Sequence, residues 1–473
     1  HLCGRIESLK LVGYKRELGS DDLYEMVTKT DGSVLPLAVY TGGLNDDFVE
    51  YKLAGASEGI KNINNMFLLP EAKQELSLSF VGTLANGNEI RKIFTFRGDS
   101  YLFDVVVKLA SPSADGSRLW IEWPEFAGGV HNENRYDFHG YMYLQNNKVN
   151  KTALTEVKPA ISELGPSDWV AYSDKYFMAA LVPAEEPADA RIVSADNIFS
   201  ERLSGGASEG SFRLYVGPKE YPTLTKIGYQ LHRSIDLGIF SFLAHPLLQL
   251  IRWFYLLLGN YGLAIVLLTL LIKALFLPLT KKSFESMAKM QDLKPDMDAI
   301  RARYKDDATR MNQEIMALYK KKGVNPASGC FPMLIQIPVF LGLYNALLNS
   351  IELRHAHFAL WIHDLSAPER LMLFGLPIPV MVLIMGASMF VQQWTTPSAM
   401  DPTQKKIMMF MPVMFTFFFV NFPAGLVLYW LVNNLISIVQ QYFIRKERAA
   451  GAKRATAFAS VAIFGLAYIL TLL

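Results

Sequence analysis

Cysteine is nearly absent: Cys3 and Cys330 are the only two in 473 residues. Two thiols so far apart support neither a disulfide framework nor a CxxC metal site. Charge is also scarce, at 19% of residues against 51% apolar, and the mean hydropathy is positive. That balance excludes a disordered chain, a coiled-coil fibre and a purely nucleic-acid-binding protein. The long apolar runs hold no paired carboxylates, no HExxH and no nucleophile elbow, and no glycine-rich phosphate loop occurs. Hydrolytic and metal-dependent chemistry lack their usual residues within those runs, and neither a nucleotide nor a cofactor is implied. Inverted repeats and Gly/Pro-broken helices, expected of many secondary transporters, are missing too. The histidines, His131 and His139 among them, have no ligand spacing and read as structural or surface residues.

What is present begins with a hidden asymmetry. The formal net charge is +2, yet residues 1–240 carry 24 Lys+Arg against 32 Asp+Glu, a net of −8, and the remainder carries 22 against 12, a net of +10. Residues 1–238 read as a β-rich soluble domain. Short alternating runs at 76–81, 93–96, 102–109, 119–121, 141–144, 176–181 and 212–215 are separated by turn signals such as Gly42-Gly43, Asn86-Gly87-Asn88 and Gly205-Gly206. Many short strands with little helical periodicity predict an antiparallel all-β sandwich.

Near residue 239 the composition changes. In 239–258, Ser241, His245, Gln249 and Arg252 fall on one helical stripe, which predicts an amphipathic interfacial helix. The same run is long enough to span a bilayer, and that alternative inverts the topology that follows. Five spans are predicted at 263–279, 331–348, 371–391, 407–422 and 426–444. Residues 281–322 hold eleven Lys+Arg against seven Asp+Glu, Lys405 and Lys406 mark a second basic loop, and Arg445, Lys446 and Arg448 follow the last span. The intervening loops have no basic excess, so the acidic β domain lies outside and both basic loops lie inside. The two cysteines then sit in different compartments. Within 281–325, Phe284, Met287, Met290, Met297, Ile300 and Tyr304, then Met311, Ile315 and Leu318, predict a helical hairpin. Asp306-Asp307 cap its turn, and Pro295 kinks its first arm. Its methionines serve either as the hairpin's core or as an adaptable surface for apolar peptide.

One residue breaks the apolar pattern. Lys273 lies mid-span, where an ammonium costs at least ~2.5–3.5 kcal/mol. Thr269 shares its face one turn earlier. Gln336 and Asn345 in the second span, Gln392 and Gln393 in the third, and Trp430, Asn433 and Asn434 in the fifth are candidate partners, and none is a carboxylate. A cation among neutral polar groups suits a transient anionic guest, and the plain alternative is a lysine solvated by trapped water. The 407–422 run is short for a ~30 Å hydrocarbon core, which implies tilted neighbours or local thinning.

Several motifs are recognisable together: Lys289-Met290 before Pro295, Met316-Ala317-Leu318-Tyr319, Val324-Asn325-Pro326, Gly329-Cys330-Phe331-Pro332, Gln336-Ile337-Pro338, Phe358-Ala359-Leu360-Trp361, Met411-Pro412 and Phe422-Pro423-Ala424-Gly425. They run through 260–445 and resemble the YidC/Oxa1/Alb3 family of membrane protein insertases. The likeness is closest to the Gram-negative bacterial branch, which carries a large periplasmic domain. The resemblance implies a periplasmic β-supersandwich at 1–238, an interfacial helix at 239–258, and a five-helix insertase core at 259–445. It also implies a hydrophilic groove open to the cytoplasm and to lipid, and a cytoplasmic hairpin. Lys273 stands where the family has a groove arginine, Thr269 matches its groove threonine, Trp430 its substrate-contacting aromatic, and Gln336 a polar core position. Asn434 joins them as a groove residue. The implied location is the bacterial inner membrane, the implied work is insertion of nascent membrane proteins, alone or with the Sec translocon, and the implied partners are those nascent chains, the ribosome and the bilayer.

Residues 446–455 read as a basic cytoplasmic tail. Residues 456–473, preceded by Lys453-Arg454, read as an additional transmembrane helix with the pattern of a signal anchor. With His1 rather than Met first, the expectation is a fragment of a longer protein in which this helix is the N-terminal anchor, placed last. Two competing functions remain: an ion- or solute-coupled transporter using Lys273, and an envelope enzyme, which would need a convergent acid/base pair in the β domain.

Overall fold

Strict alternation builds the β-rich half. In Leu102–Leu109 the side chains of Phe103, Val105, Val107 and Leu109 are buried while Asp104 and Lys108 are not, the period-2 pattern of a strand with one covered face. Trp169–Ser173 and all but the last residue of Phe177–Pro183 are buried throughout, as apolar runs covered on both faces should be. The computed structural model describes the chain except residues 1–3, 29–34, 58–60, 64–65, 69–74, 114, 126–137, 158–160, 196–197, 326–330, 397–401 and 450–473. Cys3, Cys330, His131 and the expected extra helix at 456–473 lie outside the described residues, as does most of the basic tail.

The chain divides into His1–Ile235 and Asp236–Leu473. The first unit holds a nine-stranded and a six-stranded sheet, and every strand pair within them is antiparallel. Glu209–Pro218 sits centrally in the large sheet, in register with Leu102–Leu109 through Val105↔Phe212 and with Phe177–Pro183 through Leu181↔Leu214. Strands Trp169–Ser173 and Phe177–Pro183 lie against Ile198–Ser204 of the smaller sheet, which makes the predicted sandwich. The seven expected strands are all present. A buried ion pair joins Lys92 Nζ to Asp46 Oδ2 at 2.5 Å. Lys92 also donates to the Leu37 carbonyl at 2.7 Å, and Asp46 accepts from the Val39 amide and the Tyr51 hydroxyl. A short helix, α1 (Tyr221–Ile227), follows the last strand.

The second unit is helical: α2 (Ser241–Leu258), α3 (Tyr261–Asp292), α4 (Lys294–Arg303), α5 (Ala308–Lys321), α6 (Phe331–Leu348), α7 (Val380–Thr395), α8 (Pro402–Phe419) and α9 (Ala424–Ala449). Among the described residues, three stretches are long and apolar enough to cross a membrane, Ser241–Leu258, Tyr261–Asp292 and Ala424–Ile444, and shorter apolar helices cover Leu334–Leu348, Val380–Thr395 and Lys406–Phe419. α9 packs on α3 and α7, α2 on α3 and α6, and α8 on α7. On α2, Ala244, Leu248, Ile251 and Phe254 are buried, while Phe242, Trp253, Leu256 and Leu257 are exposed. The expected polar stripe is not wholly in solvent, because Arg252 is ion-paired to the part-buried Glu352.

Two local expectations change. The first arm of the hairpin is no separate helix at its start: α3 continues unbroken to Asp292, the helix is interrupted at Leu293, and Pro295 opens α4 rather than kinking it. Proline is favoured in a first helical turn, where its missing N–H costs nothing. Leu293, Met297 and Tyr319 then form a small core with Met290, Ile315, Leu318 and Val324. Asp307 caps α5 by accepting from the Arg310 amide at 2.9 Å, as expected. The other change concerns the run 371–391, which is helical only from Val380. Its first part forms two short strands, Leu371–Leu373 and Leu376–Ile378. Gly375 takes a positive φ, and Pro377 and Pro379 remove amide donors, which together disfavour an earlier helix start.

Candidate functional site

Five residues of α9 form a largely polar stripe. Trp430, Asn433, Asn434, Ser437 and Gln441 recur at three- and four-residue steps, so they share a face. Asn434, Ser437 and Gln441 are buried against other helices, while Leu435, Val439 and Tyr442 on the opposite side are exposed. This stripe gathers partners from three helices. Lys273 Nζ on α3 donates to Ser437 Oγ at 2.7 Å, and Ser437 donates in turn to the Asn433 carbonyl at 2.8 Å. Gln336 Nε2 on α6 donates to Asn433 Oδ1 at 2.7 Å. Asn434 Nδ2 donates to Ser388 Oγ on α7 at 3.2 Å, and Gln441 exchanges hydrogen bonds with Thr395 and Thr396 at the end of that helix.

Lys273 is half-buried and makes no salt bridge among the described residues. A lysine between helices held by neutral groups is unusual: intramembrane cations normally pair with carboxylates or face a hydrated cavity. Trp430 contributes differently. Its ring stands edge-on to Phe340, 4.8 Å between centroids, and packs on Phe415 and Phe419. The polar stripe is thereby flanked by an aromatic wall drawn from α6 and α8.

Sequence reasoning located Lys273, Gln336, Trp430, Asn433 and Asn434, and the fold brings them to one helix face. Thr269 is different. It is buried, and its hydroxyl donates to the Ile265 carbonyl of its own helix at 2.7 Å, so its donor is already used. Asn345 lies beside Gly238, and its carbonyl accepts from the Asn349 amide; it is not in the network. Ser388 and Ser437 were missed. Each is a small hydroxyl in an apolar helix, and the one available signal was the i, i+4 spacing of Ser437 from Asn433.

The family model described as 60Kd inner membrane protein matches residues 253–451, and that of the YidC periplasmic domain matches residues 2–250. A membrane protein insertase YidC from Syntrophobacter fumaroxidans is 39% identical over 466 residues, covering 94% of this chain and 83% of the relative. Proteins of the same name from Geotalea daltonii and Syntrophus aciditrophicus are 40% and 42% identical, each over 80% of this chain and 72% and 71% of their own lengths. These relatives are insertases, which leaves the transporter and envelope-enzyme readings without support. With a β-rich periplasmic domain joined to a helical membrane region, the chain belongs to the YidC family of membrane protein insertases.

Proposed function

We propose that the polar face of α9, with Lys273 opposite it, is the groove through which this chain passes the hydrophilic flank of a nascent membrane protein from the cytoplasm. The observation that carries the reading is the hydrogen bond from Lys273 to the neutral Ser437. A hydroxyl solvates an ammonium without cancelling its charge, so the field remains available to an acidic segment entering the groove.

The charge pattern supports a multi-pass orientation in which α4 and α5 lie in the cytoplasm and the α6–α7 connection lies outside. In that arrangement α3, α6, α7, α8 and α9 span the inner membrane and α2 lies in the interface. The basic hairpin receives the segment, alone or from the ribosome or Sec translocon. The polar tail enters beside Lys273, and the apolar segment slides past Trp430 into lipid. Transfer of apolar surface out of water and the membrane potential drive the step, with no nucleotide required.

Reconstitution tests this directly. Liposomes containing the full chain should convert a small single-span protein with an acidic tail to a protease-protected form without added nucleotide. Solute flux in place of protected insertion sinks the proposal.

A further inference from the structure

The α6–α7 connection carries an apolar hairpin that insertion through the groove does not use. Strands Leu371–Leu373 and Leu376–Ile378 pair through Leu371↔Ile378 and Leu373↔Leu376. Between them Phe374 and Gly375 have φ of 53° and 79°, as a two-residue I′ turn requires. Asn, Asp or Gly normally fill the first turn position, because they tolerate the left-handed region. Here a phenylalanine fills it, at 103% relative exposure, with Met372 at 62% and Leu376 at 64% beside it. No residue from 371 to 379 is charged. The same connection repeats the device at Leu360, which has φ of 55° and is 73% exposed. In water such tips are unfavourable twice, through backbone strain and through bare apolar area.

Length points to what covers them. α7 has 16 residues, about 24 Å at 1.5 Å per residue, against a hydrocarbon core of ~30 Å. Adjoining residues must supply the remaining depth, and the hairpin directly precedes α7, separated by Pro379 alone. α7 itself exposes an apolar strip of Leu383, Ile384, Phe390 and Val391. The hairpin's base is held to the helix. The buried Glu369 carboxylate accepts from the Val380 and Met381 amides at 3.2 and 3.1 Å and from the Trp361 indole. Arg370 donates to the Glu369 carbonyl at 2.8 Å and to Asn421 at 3.2 Å. A polar base and an uncharged apolar tip match the headgroup–acyl boundary, where open strand edges can still meet water.

We propose that the hairpin 371–378 is a lipid anchor, with Met372, Phe374 and Leu376 inserted at the headgroup–acyl boundary to set the depth of α7. The inference rests on α7 spanning the membrane but not on the groove.

The test is a depth measurement on the full chain with Cys3→Ser and Cys330→Ser, in vesicles of phosphatidylethanolamine and phosphatidylglycerol. Nitroxides are attached at Leu376→Cys, at Leu383→Cys as the lipid reference and at Lys305→Cys as the water reference. Their collision rates with oxygen and with a water-soluble nickel chelate are then compared. The label at 376 should favour oxygen over nickel several-fold more than that at 305, approaching the label at 383. Adding Phe374→Asn, which suits the turn, should raise nickel access at 376 several-fold. Nickel access at 376 equal to that at 305 overturns the anchor, as does shielding from both reagents, which means a protein covers the tip. If the label at 383 is itself in water, the spanning reading of α7 fails first.

Discussion

Lys273 and Ser437 are joined by a 2.7 Å hydrogen bond in which a serine hydroxyl occupies the place a counter-ion would take. The hydroxyl's own proton goes to the Asn433 carbonyl, so its lone pairs are turned toward the ammonium. Asn433 is tied to Gln336, which links the charge to α6 through two neutral residues. Three neutral residues on two helices thus hold one positive charge without neutralising it.

Changing that charge should discriminate among substrates. Lys273→Met keeps the length of the side chain and removes the ammonium. It should lower insertion of an acidic-tailed single-span protein about tenfold or more, the equivalent of ~1.4 kcal/mol or more, while a neutral-tailed substrate changes little. Lys273→Arg should retain most activity. Ser437→Asp supplies the missing counter-ion and should mimic Lys273→Met for the acidic tail. Protease protection in proteoliposomes reads all three, and equal loss on both tails would mean the lysine is structural.

Close helix packing gives a second expectation. A Cβ added at Gly386 on α7 would lie 2.0 Å from Thr416 Oγ1 and 3.2 Å from Thr416 Cβ on α8. Thr416 cannot yield freely, since its hydroxyl donates to the Pro412 carbonyl at 2.8 Å. Small residues let membrane helices approach this closely. Gly386→Ala should therefore cost about 1–3 kcal/mol by overpacking, seen as a lower denaturation midpoint in detergent, and Thr416→Ala in the same chain should restore part of it.

How much of this could be read in advance depended on whether the signal was local. Leu102–Leu109 was legible as a strand because its alternation needs no distant partner. The charge of Lys273 was legible because no neighbour in an apolar run can hide it. Its partner was not: Ser437 is 164 positions away, and helix packing alone selects it over Asn434 or Gln336. Thr269 was placed on the right face but its hydroxyl turns back to Ile265, a choice available to any serine or threonine inside a helix. The run 371–391 reads as one span because hydropathy ignores hydrogen-bond capacity. Gly375, Pro377 and Pro379 were the contrary signal, and the short hairpin is its consequence.

In the β domain, Asp46 should govern acid stability. Burial alone would raise its pKa, but Lys92, the Val39 amide and Arg5 outweigh burial and hold it below the usual carboxylate value. A lowered folded pKa means stability that is present above the ordinary carboxylate pKa and lost as pH falls through the folded one. Asp46→Asn removes the carboxylate paired with the buried Lys92 ammonium, which should cost about 3–5 kcal/mol near neutrality. The same variant should flatten the acid limb of a thermal-unfolding profile; an unchanged limb would assign acid sensitivity to another group.

Glu201 should act with the opposite sign. It is fully buried, and neither carboxylate oxygen has a hydrogen-bond partner among the described residues. Burial pushes its pKa well above the usual value, because an unpaired carboxylate is poorly solvated there. The folded chain therefore holds a proton that the unfolded chain releases. The stability tied to that proton is full below the ordinary carboxylate pKa and declines as pH rises toward the folded one. Glu201→Gln cannot ionise, so it should raise the melting temperature of the β domain at neutral and alkaline pH and leave it nearly unchanged in acid. Slower amide exchange along Ile198–Ser204 would report the gain locally. A variant less stable than the parent at alkaline pH would mean that the carboxylate has a partner in solution, and that the interior around Tyr141 and Trp169, whose hydroxyl and indole N–H also lack partners among the described residues, is wetter than their burial suggests.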